Sequence, residues 1–76
     1  MLDLTKGYCV LIELMMGTQL TKNDVSTKVL NRLLSNQHVL LEDSSLALTM
    51  KGKDYLIRYH KDKVEYVAKT RDRYIV

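Results

Sequence analysis

Tryptophan, phenylalanine and proline are absent from these 76 residues, and cysteine occurs once. Without Trp or Phe, the core must be built from Leu, Val, Ile and Met, and five tyrosines carry all the aromatic surface. Tyr packs its ring while keeping a polar tip, so it suits an interface as well as a core edge. The single Cys9 excludes an internal disulfide framework and reads as a small buried hydrophobe. Three glycines leave no Gly-rich loop to cradle phosphate. Cys9, His38 and His60 are scattered without metal-ligand spacing. Ser44-Ser45 has no base nearby in sequence to make it a nucleophile. Neither an enzyme nor a bound cofactor or metal is therefore expected. The apolar stretch 9–16 lacks the flanks of a secretory signal and is too short to span a bilayer, so no membrane association is expected and the cytosol is the expected compartment.

What is present is one domain's worth of chain, with no repeat and no linker. So short a chain buries a modest share of its surface, and a partner subunit would add to its stability. The net charge of +3 is unevenly spread. Residues 41–50 carry only Glu42 and Asp43, whereas residues 51–76 hold eight basic and four acidic side chains. A positive C-terminal third fits a polyanionic partner, and it also fits a solvated, charge-laced helix.

Hydrophobic spacing predicts the elements. Leu4, Tyr8, Leu11, Ile12 and Met15 recur at helical intervals, with Asp3 as a cap and Gly17 as a left-handed stop. Met15 and Met16 read as gap-fillers of the core. After a connector at 18–20, Thr21 and Asp24 have the form of a capping box. Val25, Val29, Leu30, Leu33 and Leu34 then make a second stripe, ending near Ser35-Asn36. Val39-Leu40-Leu41 and Leu46-Ala47-Leu48-Thr49 predict two strands around a four-residue tip, Glu42-Asp43-Ser44-Ser45. An isolated hairpin is marginal in water, so its leucines should pack on the helices. A further helix begins at Thr49, with Tyr55, Leu56 and Tyr59 facing inward. Beyond His60, Val64, Tyr66 and Ala68 fit a strand, while Tyr59, Tyr66 and Val67 fit a continuing helix. The charged composition without Gly or Pro favours the helix. His60 itself reads as a surface residue favoured by a helix C-terminus.

The order helix, helix, hairpin, helix resembles a winged helix-turn-helix domain, an α+β fold. The stretch Leu48-Thr49-Met50-Lys51-Gly52-Lys53-Asp54-Tyr55-Leu56 is similar to the way small archaeal, bacterial and phage winged-helix proteins leave the wing. There Thr caps the last helix, Gly lets it lie close to the sheet, and Tyr-Leu enters the core. Residues 20–58 carry the likeness, within a single domain over 1–76 whose segment 61–76 reads as an extension for dimerisation or partner binding. Two departures stand out. Only 18–36 is left for the two helices of a helix-turn-helix, which implies a positioning helix shrunk to one turn at 21–24, with a bend at 24–27, or none at all. The acidic tip Glu42-Asp43 would be repelled by phosphate, so the wing should stay out of a groove.

The resemblance implies a DNA-binding transcriptional regulator with one helix in the major groove. Arg32 would meet guanine and Asn31 adenine, Lys28 and Thr27 would hold phosphates, and Lys22 and Ser35 would complete the face. Lys51, Lys53, Arg58 and Lys61 would flank it with backbone contacts. Tyr59, Tyr66 and Tyr74 would serve a homodimer or another partner. A bland alternative for both basic faces is a solvated helix side. A different class of function is a phage- or virus-encoded interaction module that occludes a host protein, with Glu42 and Asp43 mimicking phosphates or the tyrosines as anchors.

Overall fold

The computed structural model describes residues 4–74, with side chains as far as Lys69. It is an α+β arrangement of four helices with a two-stranded antiparallel hairpin between them, an order compatible with a winged-helix layout. The elements are α1 (Gly7–Met15), α2 (Thr27–Ser35), β1 (Val39–Glu42), β2 (Ser45–Leu48), α3 (Met50–Tyr59) and α4 (Lys61–Tyr74). One core joins them: Val10, Leu11 and Ile12 of α1 meet Leu33 of α2, Val39 and Leu46 of the hairpin, Leu56 of α3 and Val67 of α4.

Helix α1 starts later than its apolar spacing predicts. Leu4 reaches the core from a turn, and Lys6, in an extended conformation, holds the cap position without a side-chain bond. Asp3, the predicted cap, lies outside the described residues. At the other end Gly17 takes φ 87°, with Thr18 N–H on the Glu13 carbonyl and Gly17 N–H on that of Leu14. These paired bonds satisfy the last carbonyls of the helix, as its sequence predicts. Glu13, which has no place in the apolar stripe, is 1% exposed and accepts a hydrogen bond from the Thr18 hydroxyl at 3.2 Å.

The shrunken positioning helix is absent. Thr21 and Asp24 form only half of the predicted capping box: Thr21 N–H donates to Asp24 Oδ2 at 2.7 Å, but the Thr21 hydroxyl also donates to that oxygen, Asp24 N–H donates to the Thr21 carbonyl, and the segment is a turn rather than a helix. The backbone there is committed to the sheet. Leu46 N–H donates to Leu20, Lys22 N–H donates to Ser44, and Thr21 bridges Ser45. Groups so engaged cannot also enter an i to i−4 ladder. Helix α2 therefore begins six residues after Thr21, capped by the Ser26 hydroxyl, which accepts from Val29 N–H.

Helix α2 closes with the same bond pattern as α1, but Gln37 fills the left-handed position at φ 62°. A side chain there costs about 1 kcal/mol, which the surrounding bonds must offset. The hairpin is tighter than predicted, because Glu42 pairs with Ser45 and only Asp43-Ser44 form the loop. Asp43 tolerates the required φ of 56° through its short polar side chain. Part of the hairpin stands clear of the helices. Val39 and Leu46 are buried, whereas Leu40 and Leu41 are 55% and 40% exposed, contrary to the expectation that the hairpin's leucines all pack.

Helix α3 follows its sequence closely. The Thr49 hydroxyl accepts from Gly52 N–H at 2.9 Å and donates to the Gln37 carbonyl at 2.7 Å. Gly52 is buried, with no room for a side chain against the His38 carbonyl. Leu56 is fully buried and Tyr55 half-buried, but Tyr59 points outward, 66% exposed. The chain beyond is helical, as expected, yet it is a separate helix. His60 breaks the run at φ −134°, and its carbonyl accepts from Lys63 and Val64 to open α4. No Gly or Pro marks that break.

Candidate nucleic-acid interface

Helix α2 presents two opposite stripes. Val29, Leu30, Leu33 and Leu34 turn toward the core, and Thr27, Lys28, Asn31, Arg32 and Ser35 are all exposed. Lys28, Asn31, Arg32 and Ser35 follow at intervals of three and four, so they form one continuous strip. The helix contains no acidic residue, and Arg32 in its last turn complements the negative end of the helix dipole.

Three adjoining clefts continue this surface. The first lies between the start of α1, the end of α2 and the α3–α4 joint, and includes Lys6, Arg32, Asn36, His38, Tyr55 and His60. The second shares His38 and Tyr55 and adds Lys51, Asp54, Arg58 and Tyr59. The third shares Arg58 and Tyr59 and adds Lys61, Asp62 and Lys63. Arg32, Lys51, Arg58 and Lys61 are thus brought into one basic band, interrupted by two aspartates. Lys53 is exposed but lines none of the three clefts. Lys22 is exposed too, but its backbone bond to Ser44 places it beside the hairpin loop. Of the tyrosines predicted for an interface, Tyr59 and Tyr66 are exposed, and the side chain of Tyr74 lies outside the described residues.

At the centre of the band sits a group of rings that sequence spacing did not reveal. Tyr8 stacks on His60 at 4.7 Å and 16°, His38 stacks on Tyr55 at 4.5 Å, and Tyr55 lies 5.3 Å from His60. The Lys63 ammonium rests 4.0 Å from the Tyr8 ring centroid. His60 is therefore not the surface residue expected of a helix end; it is half-buried and joins two helices to α1. These partners are up to 52 residues apart, and only the folded chain unites Tyr8 with His60. The one local hint was Tyr55 five residues before His60, whose hydroxyl lies 3.4 Å from Nε2.

Both imidazoles titrate below their usual range. Burial is the main cause for each, and the nearby ammonium adds to it, Lys51 for His38 and Lys63 for His60. A histidine whose folded pKa lies below its unfolded value favours the fold while neutral. Stability is then complete above about pH 6.5 and lost as pH falls through the two depressed folded values. Thermal melts in a series of buffers should show the midpoint falling on acidification through that window. A midpoint that stays level there would contradict the burial of the two rings.

Among the described residues, no three His, Cys, Asp or Glu side chains gather as metal ligands would, and no helix is long and apolar enough to cross a membrane. No family model, curated protein or solved structure matches the chain.

Proposed function

We propose that this protein is a DNA-binding regulator of transcription that lays α2 in the major groove and acts as a homodimer. The observation that carries the reading is the acid-free strip Lys28, Asn31, Arg32 and Ser35, exposed along α2 and continuous with the basic band through Arg32. Amide and guanidinium groups on such a strip suit base edges, and the ammonium groups beside it suit phosphates. Lys51, Arg58 and Lys61 are the flanking contacts. Lys22 and Lys53 lie off the band, and the acidic hairpin tip stays away from the groove. Tyr59 and Tyr66 supply rigid amphipathic surface for the second copy.

Fluorescence anisotropy with a labelled duplex tests the proposal. The wild-type chain should bind saturably, and the double substitution Lys28→Ala, Arg32→Ala should weaken binding by about tenfold or more. Equal affinity of the two proteins would remove α2 from the interface. A protein-interaction module is the second reading, favoured by exposed Leu40, Leu41, Met50 and Ile57 and by the missing positioning helix. It predicts no duplex binding even at low salt.

A further inference from the structure

We propose that the cleft between the start of α1, the end of α2 and the α3–α4 joint binds a small planar organic anion, of the aromatic carboxylate class. The cleft has a volume of about 310 Å³, at the lower end of the range for ligand sites. Its floor is apolar, formed by Leu11, Val29 and Leu33. Its charged lining is of one sign, Lys6 and Arg32, joined by two imidazoles, two phenols, Thr5 and Asn36, with no carboxylate among the described residues that line it. An apolar floor under a cationic rim matches a ligand with a flat hydrocarbon body and one negative end.

His38 marks the inner end of the site. It is 8% exposed, and its ring is held by the stack on Tyr55. Among the described residues, no group hydrogen-bonds its ring nitrogens, and no side-chain nitrogen or oxygen is sealed from solvent without a partner. Those nitrogens therefore keep some exposure, and His38 lines both this cleft and the one beside Lys51. The other titratable groups around the site are Lys6 ahead of α1, Arg32 of α2, Lys51, Asp54 and Tyr55 of α3, His60 at the joint, Asp62 and Lys63 of α4, and Tyr8, and the two carboxylates line the neighbouring clefts rather than this one. As pH falls, His38 and His60 gain charge while the ammonium and guanidinium groups keep theirs and the phenols stay neutral. The bound anion compensates the new charge, so affinity rises on acidification. The cleft shares Arg32 with the DNA reading, but Lys28, Asn31 and Ser35 do not line it, and the test uses no nucleic acid and a substitution at Lys6, outside the proposed DNA contacts.

The experiment is an amide-resolved NMR titration of the full chain with benzoate, with acetate and inorganic phosphate as comparison anions and no nucleic acid. Benzoate should give saturable shifts centred on residues 5–8, 11, 29, 32–38, 55 and 60, and should bind more tightly at about pH 5.5 than at about pH 7.5. Lys6 is exposed, so Lys6→Gln should leave the melting midpoint in place while weakening benzoate by about tenfold. Shifts that are linear and scattered over the surface overturn the site, as does a Lys6→Gln protein that binds benzoate unchanged. A response to acetate or phosphate equal to that of benzoate overturns the ligand class, because neither has a body to fill the apolar floor.

Discussion

Gly52→Ala is expected to destabilise the protein by about 2–3 kcal/mol, lowering the melting midpoint by roughly 10–20 °C. An added Cβ at this position collides with the His38 carbonyl oxygen and comes within 3.0 Å of that carbonyl's carbon and of Leu48 Cδ1. The oxygen cannot swing aside freely, because it accepts from Thr49 N–H at 3.1 Å. Either α3 retreats from the hairpin or the bond at Thr49 is lost. Alanine's better helix propensity, about 1 kcal/mol, offsets only part of this. Lys53→Ala, one residue further on and exposed, serves as the control, with a change of about 0.5 kcal/mol or less. If the Gly52→Ala midpoint matches that of the control, α3 does not approach the chain at His38 so closely.

The second large effect expected is a loss of duplex affinity of about a hundredfold between 50 and 200 mM monovalent salt, if roughly four cations of the band meet phosphates. Each neutralised phosphate releases condensed counterions, so the logarithm of affinity falls with the logarithm of salt at about −0.9 per contact. Arg32, Lys51, Arg58 and Lys61 are the four cations in question, since the adjoining clefts bring them together. Arg58→Ala should lower the slope by about one unit while affecting different duplexes equally. Salt-independent binding would mean that the basic band faces solvent and that another surface makes the contact.

Much of the fold could be read from local chemistry. Gly17, Thr49 and Gly52 each answer a need of their own neighbourhood: a left-handed helix end, a cap and a close approach. Their residue types therefore predicted their roles. The two stripes of α2, one apolar and one exposed and polar, were legible for the same reason. The failures share a different cause. The bond from Thr21 N–H to Asp24 suits a turn as well as a helix start, and what decides between them is the bonding of residues 20–22 to residues 44–46, more than twenty positions away. The break at His60 and the burial of Glu13 likewise depend on partners brought by the fold. So does the ring group around Tyr55, which makes His60, read as a helix-end surface residue, and His38 into stacked partners of the tyrosines.

Thr49 bears on how rigidly α2 is presented. Its hydroxyl and its amide hold two successive carbonyls, those of Gln37 and His38, at the point where the chain leaves α2. The end of α2 is thereby tied to the start of α3, so under the DNA proposal the tilt of the exposed strip is set before any encounter. Little ordering entropy is then left to be lost on association, and the strip can engage only surfaces whose curvature suits that one tilt.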